Sequence, residues 1–201
     1  MDQSFDTLSA AQKKDRFNEF FLLKHTLNVN IKAVEKAAIP AHHELESSMP
    51  YAFKIAGELS SIEAQALRPL RNLSNHAAEL ADFLTAQARK IDLMMSYILH
   101  QQDDKTLRYA TLRFGGGGIE VICQQPLEVG QGVELKIFLP EEAAAVFCFA
   151  EVIACDPHPD GYHIAFIYSR IRETDQELLV RASLHLQTQQ LRKRSENNQN
   201  Q

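Results

Sequence analysis

The most regular pattern in the chain is a repeat of mostly apolar positions at alternating steps of three and four residues between positions 70 and 101. A mean period of 3.5 residues keeps one narrow stripe of a helix facing a partner helix, whereas a period of 3.6 would drift away from it. The repeat therefore predicts a coiled-coil helix through which the protein associates with itself. We call these positions the heptad stripe, and they are Leu70, Leu73, Ala77, Leu80, Leu84, Gln87, Ile91, Met94, Ile98 and Gln101.

Two questions about this helix stay open at the level of sequence. Further apolar residues, among them Phe83, Met95 and Leu99, lie off the stripe, so the alternative is a helix that packs on its own domain. Polar Gln87 within the stripe is a residue type that fixes register and oligomer number. The heptads alone do not distinguish an assembly of two helices from one of four.

Upstream, the apolar spacing predicts two helices. Residues 10–37 carry apolar side chains at helical intervals, which predicts an amphipathic helix that ends before Pro40. A second, long helix is predicted from about 50 to 101. The heptad phase shifts near Pro69, where a proline would remove a backbone hydrogen bond, so we expect a kink or a break there.

After Asp103 and Asp104 the pattern changes to short runs rich in β-branched and aromatic residues, separated by Gly and Pro. Strands are predicted at 107–114, 119–124, 132–139, 146–154 and 162–168, and five or six antiparallel strands at this spacing suggest a small barrel. A capping box at 174–177 starts a final helix. The predicted fold is α+β: a helical oligomerisation region at 1–104, a barrel with its helix at 105–194, and a disordered Asn- and Gln-rich tail at 195–201.

Composition and charge narrow the function classes. The net charge of −5 divides into −1 for residues 1–100 (11 basic, 12 acidic) and −4 for the rest (10 basic, 14 acidic), which argues against a nucleic-acid partner. No apolar run is long enough to span a membrane, and no signal peptide is recognisable, so we expect a cytoplasmic protein without membrane insertion. The three cysteines lack metal-site spacing and are interpreted as reduced core thiols.

The second half of the chain resembles the PilZ domain, a bacterial six-stranded barrel that serves as a receptor for cyclic di-GMP. The resemblance rests on short segments that occur in the expected order: 118–121, 126–130, 135–140 and 162–166, followed by Ile171 and the capped helix. Together with the heptad helix in front, the whole chain resembles an atypical tetrameric PilZ branch, in which added helices assemble four subunits. The resemblance implies a homotetramer.

The sequence departs from the family at the ligand site. PilZ receptors bind the dinucleotide with an RxxxR arm and a [DN]xSxxG turn, and this chain has neither motif. The nearest substitutes are Lys105 and Arg108 for the arm, while alignment of the turn on Gly118 puts Gly115 at the serine position and Arg113 at the acidic position. The turn of four glycines could still bind an anion through backbone N–H groups, with Arg108 and Arg113 nearby. The alternative is that glycines permit positive φ at a tight strand connection.

These observations predict a non-enzymatic, homo-oligomeric regulatory or adaptor protein of cyclic di-GMP signalling that acts with a protein partner and no cofactor. The competing hypothesis is a cyclic di-GMP receptor with a non-standard site at the Gly115–Gly118 turn. No catalytic motif or metal site is recognisable, and His42, His43 and Glu46 are interpreted as polar loop residues.

Overall fold

The strands predicted in the second half of the chain close into an antiparallel barrel. The protein is described by a computed structural model that covers residues 5–70 and 78–199. Within these residues the strands are β1 (Leu22–Lys24), β2 (Asn28–Val34), β3 (Arg108–Gly115), β4 (Gly118–Cys123), β5 (Gly132–Leu139), β6 (Ala144–His158) and β7 (Gly161–Arg170). The helices are α1 (Ala10–Glu19), α2 (Leu45–Ser48), α3 (Tyr51–Leu70), α4 (Ala78–His100) and α5 (Glu173–Gln199).

Six of the strands form the closed ring of the barrel. The order is β3, β2, β5, β6, β7 and β4, and β4 pairs back with β3. The short strand β1 pairs with β3 farther along the edge where β2 pairs, at Leu22–Gly115 and Lys24–Arg113. The predicted α+β class and the small antiparallel barrel are therefore confirmed.

The predicted helix over residues 10–37 is wrong beyond Glu19. Residues 28–34 form β2, which pairs with β3 on one side and with β5 on the other. The reason lies in the alternation of Val29 and Ile31, which are buried in the barrel core, with the polar residues Asn28 and Lys32, which are exposed. The sixth strand of the barrel thus comes from the region that we had assigned to the helical domain, and the boundary at residue 105 does not separate two folding units.

Strand β6 is buried on both faces. Val146, Cys148 and Ala150 point into the barrel core, whereas Phe147 and Phe149 belong to a second cluster formed with the helices. In that cluster the Phe53 ring of α3 lies 6.0 Å from the ring of Phe147, and Phe147 meets Phe149 edge to face at 5.5 Å. The near-continuous apolar run of β6 follows from this double burial.

Helices α3 and α4 form an antiparallel hairpin instead of one long helix. Phe53 near the start of α3 and Leu99 near the end of α4 share the same cluster. A continuous helix would place these two residues roughly 70 Å apart at 1.5 Å per residue. A continuous helix from 50 to 101 is therefore excluded, and of the kink or break expected near Pro69 only a break fits the two helices. Pro69 lies in the last turn of α3, and residues 71–77 lie outside the described residues.

The C-terminal helix α5 packs on the barrel. Leu179, Ala182 and Leu186 belong to the barrel core cluster, and they recur at helical spacing along one side of the helix. The helix continues to Gln199, so the predicted disorder of the tail is wrong for residues 195–199. No Gly or Pro occurs after Glu173 to end the helix. None of the helices in the described ranges is long and apolar enough to cross a membrane.

Deletion of the amino-terminal residues tests the origin of the sixth strand. Removing residues 1–34 deletes β1 and β2, which leaves the edges of β3 and β5 unpaired and opens the barrel core. We expect this variant to aggregate or to lose cooperative unfolding, as measured by circular dichroism and size-exclusion chromatography. The matched control lacks residues 1–19, which removes α1 and the residues before it but no strand, and should remain folded with reduced stability. Two deletions that melt alike would contradict the strand assignment.

Candidate functional site

The connection from α4 to β3 places Arg108 against a carboxylate. Its Nε donates to Oδ1 of Asp103 at 3.0 Å, and its terminal nitrogen lies 2.8 Å from Oδ2, so the pair is bidentate. The Asp103 side chain is 3% exposed, whereas Lys105, in the turn before β3, is exposed. A phosphate that bound Arg108 in the manner of the PilZ arm would have to replace a nearly buried carboxylate.

The side chain of Asn30 completes this arrangement. Its amide nitrogen donates to Oδ1 of Asp103 and to the carbonyl of Asp104, both at 2.9 Å, and its amide oxygen accepts from the Asp104 N–H at 2.8 Å. Sequence reasoning missed this residue because it lay within a predicted helix. The available signal was a polar residue between the apolar residues Val29 and Ile31. An amide buried at that position requires hydrogen-bond partners.

A second ion-pair cluster holds Arg113. On the adjacent strand β4, Glu120 accepts hydrogen bonds from Arg113, including one of 2.6 Å from its Nε. Its Oε2 also lies 3.1 Å from Nε2 of His163 on β7. The Glu120 side chain is 6% exposed and that of Arg113 is 47% exposed, so the cation is half accessible but already neutralised. No pairing of Glu120 with Arg113 or His163 was predicted from the sequence.

The turn of four glycines is buried under protein. A Cβ at Gly115 would meet the carbonyl oxygen of Phe21, and a Cβ at Gly118 would meet that of Phe166. The side chains of Phe17 in α1 and of Phe20, directly after α1, cover the turn, and Gln176 of α5 donates to the carbonyl of Gly116 at 2.8 Å. The positive-φ interpretation is wrong, because the described glycines with positive φ are Gly130 and Gly161. The glycines of the 115–118 turn are needed because neighbouring segments of the protein approach their backbone closely.

The barrel interior keeps its cysteine thiols protonated. Burial raises the pKa of Cys123 to about 11, and the neighbouring Cys155 contributes to the rise. Burial also raises the pKa of Cys148 well above its usual range. All three cysteines are free; Cys123 and Cys148 lie in the core as predicted, whereas Cys155 is half-buried. In the parts of the chain covered by the structure, no group of three His, Cys, Asp or Glu residues is arranged to hold a metal ion.

Helix α4 presents an apolar surface away from the barrel. Met95 and Leu99 are buried against the barrel, as the alternative of intramolecular packing requires for these two residues. In contrast, the heptad-stripe residues Leu80, Ile91, Met94 and Ile98 are between 42% and 61% exposed. Leu84 and Gln87 are half-buried; Leu73, Ala77 and the side chain of Leu70 lie outside the described residues. Three further apolar side chains outside the stripe are exposed on the same helix, namely Phe83, Leu93 and Tyr97.

Residues 85–185 match the model of the PilZ domain family. The chain belongs to the PilZ family. The matched segment begins within α4 and ends within α5, so it contains β3 to β7 but not β1 and β2. The PilZ resemblance is thereby confirmed, and the strand that completes the barrel lies outside the part of the sequence that carries the family signature.

Two solved structures are similar to this PilZ protein. One is a Xanthomonas campestris protein described as a tetrameric PilZ domain self-assembled via an unusual helical bundle; the TM-score is 0.55, the identity is 15%, and the match covers 89% of this chain and 96% of that one. The other is the Bacillus subtilis inhibitor of motility MotI (DgrA), with a TM-score of 0.39, 25% identity, and coverage of 41% of this chain and 42% of that one. The first similarity shows the fold alone. None of the curated proteins matches the chain.

Alanine substitutions distinguish the structural role of the glycines. Gly118→Ala forces a methyl group against a strand carbonyl that cannot move without breaking the barrel, so we expect a loss of about 1–3 kcal/mol in the free energy of unfolding. Gly117→Ala is the matched control, because its nearest neighbours would lie 3.1 Å away and its cost should stay below about 1 kcal/mol. Urea denaturation measures both. Equal losses would show that close approach at Gly118 is not the constraint.

Proposed function

We propose that this PilZ protein is a non-enzymatic, homotetrameric adaptor of bacterial cyclic di-GMP signalling, in which four copies of one barrel surface are presented to a protein partner. Presentation of several copies raises avidity even when each contact is weak. The observation that carries the proposal is the exposed apolar surface of α4. A barrel that binds the dinucleotide weakly or not at all is the second part of the proposal.

Self-association is supported by the size and continuity of this surface. Exposed stripe residues extend from Leu80 to Ile98, which is about 27 Å along the helix axis at 1.5 Å per residue. Soluble proteins rarely leave such a large contiguous apolar surface uncovered. The stripe has the heptad spacing that a second copy of the same helix would match, so identical subunits are its natural partner.

An assembly of more than two helices is supported by the width of the surface. Phe83 and Tyr97 directly precede the stripe residues Leu84 and Ile98, so they lie beside the stripe in the heptad. Both are exposed, with values of 58% and 67%. Two helices cover only a narrow stripe, whereas larger bundles also cover flanking positions. The similar Xanthomonas campestris protein, described as a tetramer built on a helical bundle, supports an assembly of four subunits.

Weak dinucleotide binding is supported by the pairing of the available cations. Arg108 is engaged by Asp103 and Arg113 by Glu120, so each would have to give up a carboxylate to bind a phosphate. The alternative receptor function at the Gly115–Gly118 turn would require Phe17, Phe20 and Phe21 to leave the turn. Both rearrangements oppose binding.

The double substitution Leu80→Asp and Ile91→Asp tests the interface. Burial of unpaired charges between helices costs several kcal/mol, so we expect a monomer in size-exclusion chromatography with light scattering. Arg89→Asp is the control, because Arg89 is exposed on the same helix but lies off the stripe. The double variant should also keep the circular dichroism of the barrel. Retention of the parent mass by the double variant would rule out the stripe as the interface.

Titration calorimetry with cyclic di-GMP tests the proposal that the barrel binds the dinucleotide weakly or not at all. Loss of a two-arginine clasp removes about 3–6 kcal/mol of charge-assisted hydrogen bonding, which carries a micromolar site into the millimolar range. We therefore expect no micromolar binding by the parent protein. Micromolar affinity that disappears in Arg108→Ala or Arg113→Ala would contradict this expectation and favour the receptor function. Catalytic turnover of the dinucleotide, followed by chromatography of the same sample, would contradict the non-enzymatic assignment.

A further inference from the structure

A cavity of about 390 Å³ lies where α4, α5 and the connection from β5 to β6 meet, away from the glycine turn. Its floor is apolar, because Leu27, Leu99, Leu139, Ala182 and Leu186 line it and are buried in the two core clusters. Pockets that bind small molecules typically measure about 300–1,000 Å³ and combine an apolar lining with a few polar groups. The volume and lining of this cavity meet both conditions.

The carboxylates that line the cavity are Asp103, Glu141 and Glu142, and the histidines His25 and His100 line it as well. Glu141 and Glu142 belong to the short 3₁₀ helix Pro140–Glu142 between β5 and β6. Glu142 lies 2.7 Å from Nδ1 of His185, whereas Glu141 makes no hydrogen bond or ion pair within the described part of the chain. Asp103 also borders the cavity, but its charge is balanced by Arg108. No Lys or Arg is among the described residues that line it.

The end of α4 adds a second source of negative potential. Ser96, Leu99 and His100 line the cavity from the last turn of α4. The carboxyl end of a helix carries about half a negative elementary charge from its aligned peptide dipoles. This contribution is independent of the two glutamates and has the same sign. Both favour a positively charged ligand and disfavour a phosphate.

We propose that this cavity binds a small organic cation, a protonated amine or guanidine on an apolar body. The hydrocarbon or aromatic body occupies the floor, and the charged group lies at the rim near Glu141 and Glu142. Because α4, the barrel and α5 all contribute to the walls, the bound molecule contacts all three elements and holds the end of α4 on the barrel. The site uses residues of α4 that do not belong to the heptad stripe, and it shares Asp103 with the ion pair of Arg108.

Calorimetric titration of the full chain with 4-phenylbutylamine and with 4-phenylbutyrate tests the charge preference. The two probes share their apolar body and differ in the sign of the end group. A partly exposed ion pair and a helix end both favour the amine over the carboxylate, so we expect the amine to bind about tenfold more tightly or better. In the double variant Glu141→Gln, Glu142→Gln the amine should bind about two- to fivefold more weakly. Equal affinity for the two probes, or no binding of the amine at millimolar concentrations, overturns the proposal.

Substitutions at Ser96 locate the binding. Ser96→Trp places an indole in the cavity and should abolish amine binding, whereas Ser96→Ala keeps the cavity open and should retain it. The chain contains no Trp, so the fluorescence of the introduced indole also reports whether it is buried. If Ser96→Trp fails to fold, the glutamine double variant decides the matter alone. Unchanged amine affinity in a folded Ser96→Trp variant places the binding elsewhere and overturns the proposal.

Discussion

The double burial of β6 is the constraint on which the rest of the structure depends. One face of this strand contributes Val146, Cys148 and Ala150 to the barrel core, and the other contributes Phe147 and Phe149 to the cluster under the helical hairpin. Two separate cores therefore share one strand. Full burial of an aromatic side chain such as Phe147 contributes about 1.5–3 kcal/mol, so removal of the hairpin would leave an apolar barrel surface in water. The barrel and the hairpin consequently fold as one unit, although the sequence pattern suggested two domains.

The polar groups at the barrel edge are largely used within the chain. Arg108 and Arg113, the arginines nearest in sequence to the missing PilZ motifs, each bind a carboxylate that is almost fully buried. A buried carboxylate is costly unless it is paired, so Asp103 and Glu120 need these arginines in the folded state. The glycines of the turn are also used within the chain, by the close approach of α1 and β7. In a receptor, arginines and glycines of this kind bind a phosphate. Here they stabilise the fold, because each already contacts a partner within the protein.

The sequence predicted the elements whose partners are close in the chain and missed those whose partners are distant. Strands β3 to β7 follow one another through turns marked by Gly and Pro, and they were predicted to within a few residues. Strand β2 pairs with residues that are more than 70 positions away, and the spacing of Leu27, Ile31 and Val34 fits a helix as well as a strand. The role of Asn30 depends on the same distant pairings, whereas the Arg113–Glu120 pair joins neighbouring strands β3 and β4. The exposed side of α4 was predictable because a heptad repeat records its partner within one segment.

Helix α4 connects the two functions proposed for the chain, which are assembly through the heptad stripe and cation binding in the cavity. Its opposite sides contribute to each of them. Met95 and Leu99 pack on the barrel, and the heptad stripe faces solvent. Only seven residues separate the end of α4 at His100 from the start of β3 at Arg108. Within them Asp103 bonds both Asn30 of β2 and Arg108 through partly buried hydrogen bonds. A short segment with such bonds cannot act as a flexible linker. Any assembly through the stripe therefore sets the orientation of the barrels as well as their number. A partner that contacts two barrels at once would respond to that geometry, because multivalent binding is lost when the sites cannot be engaged together.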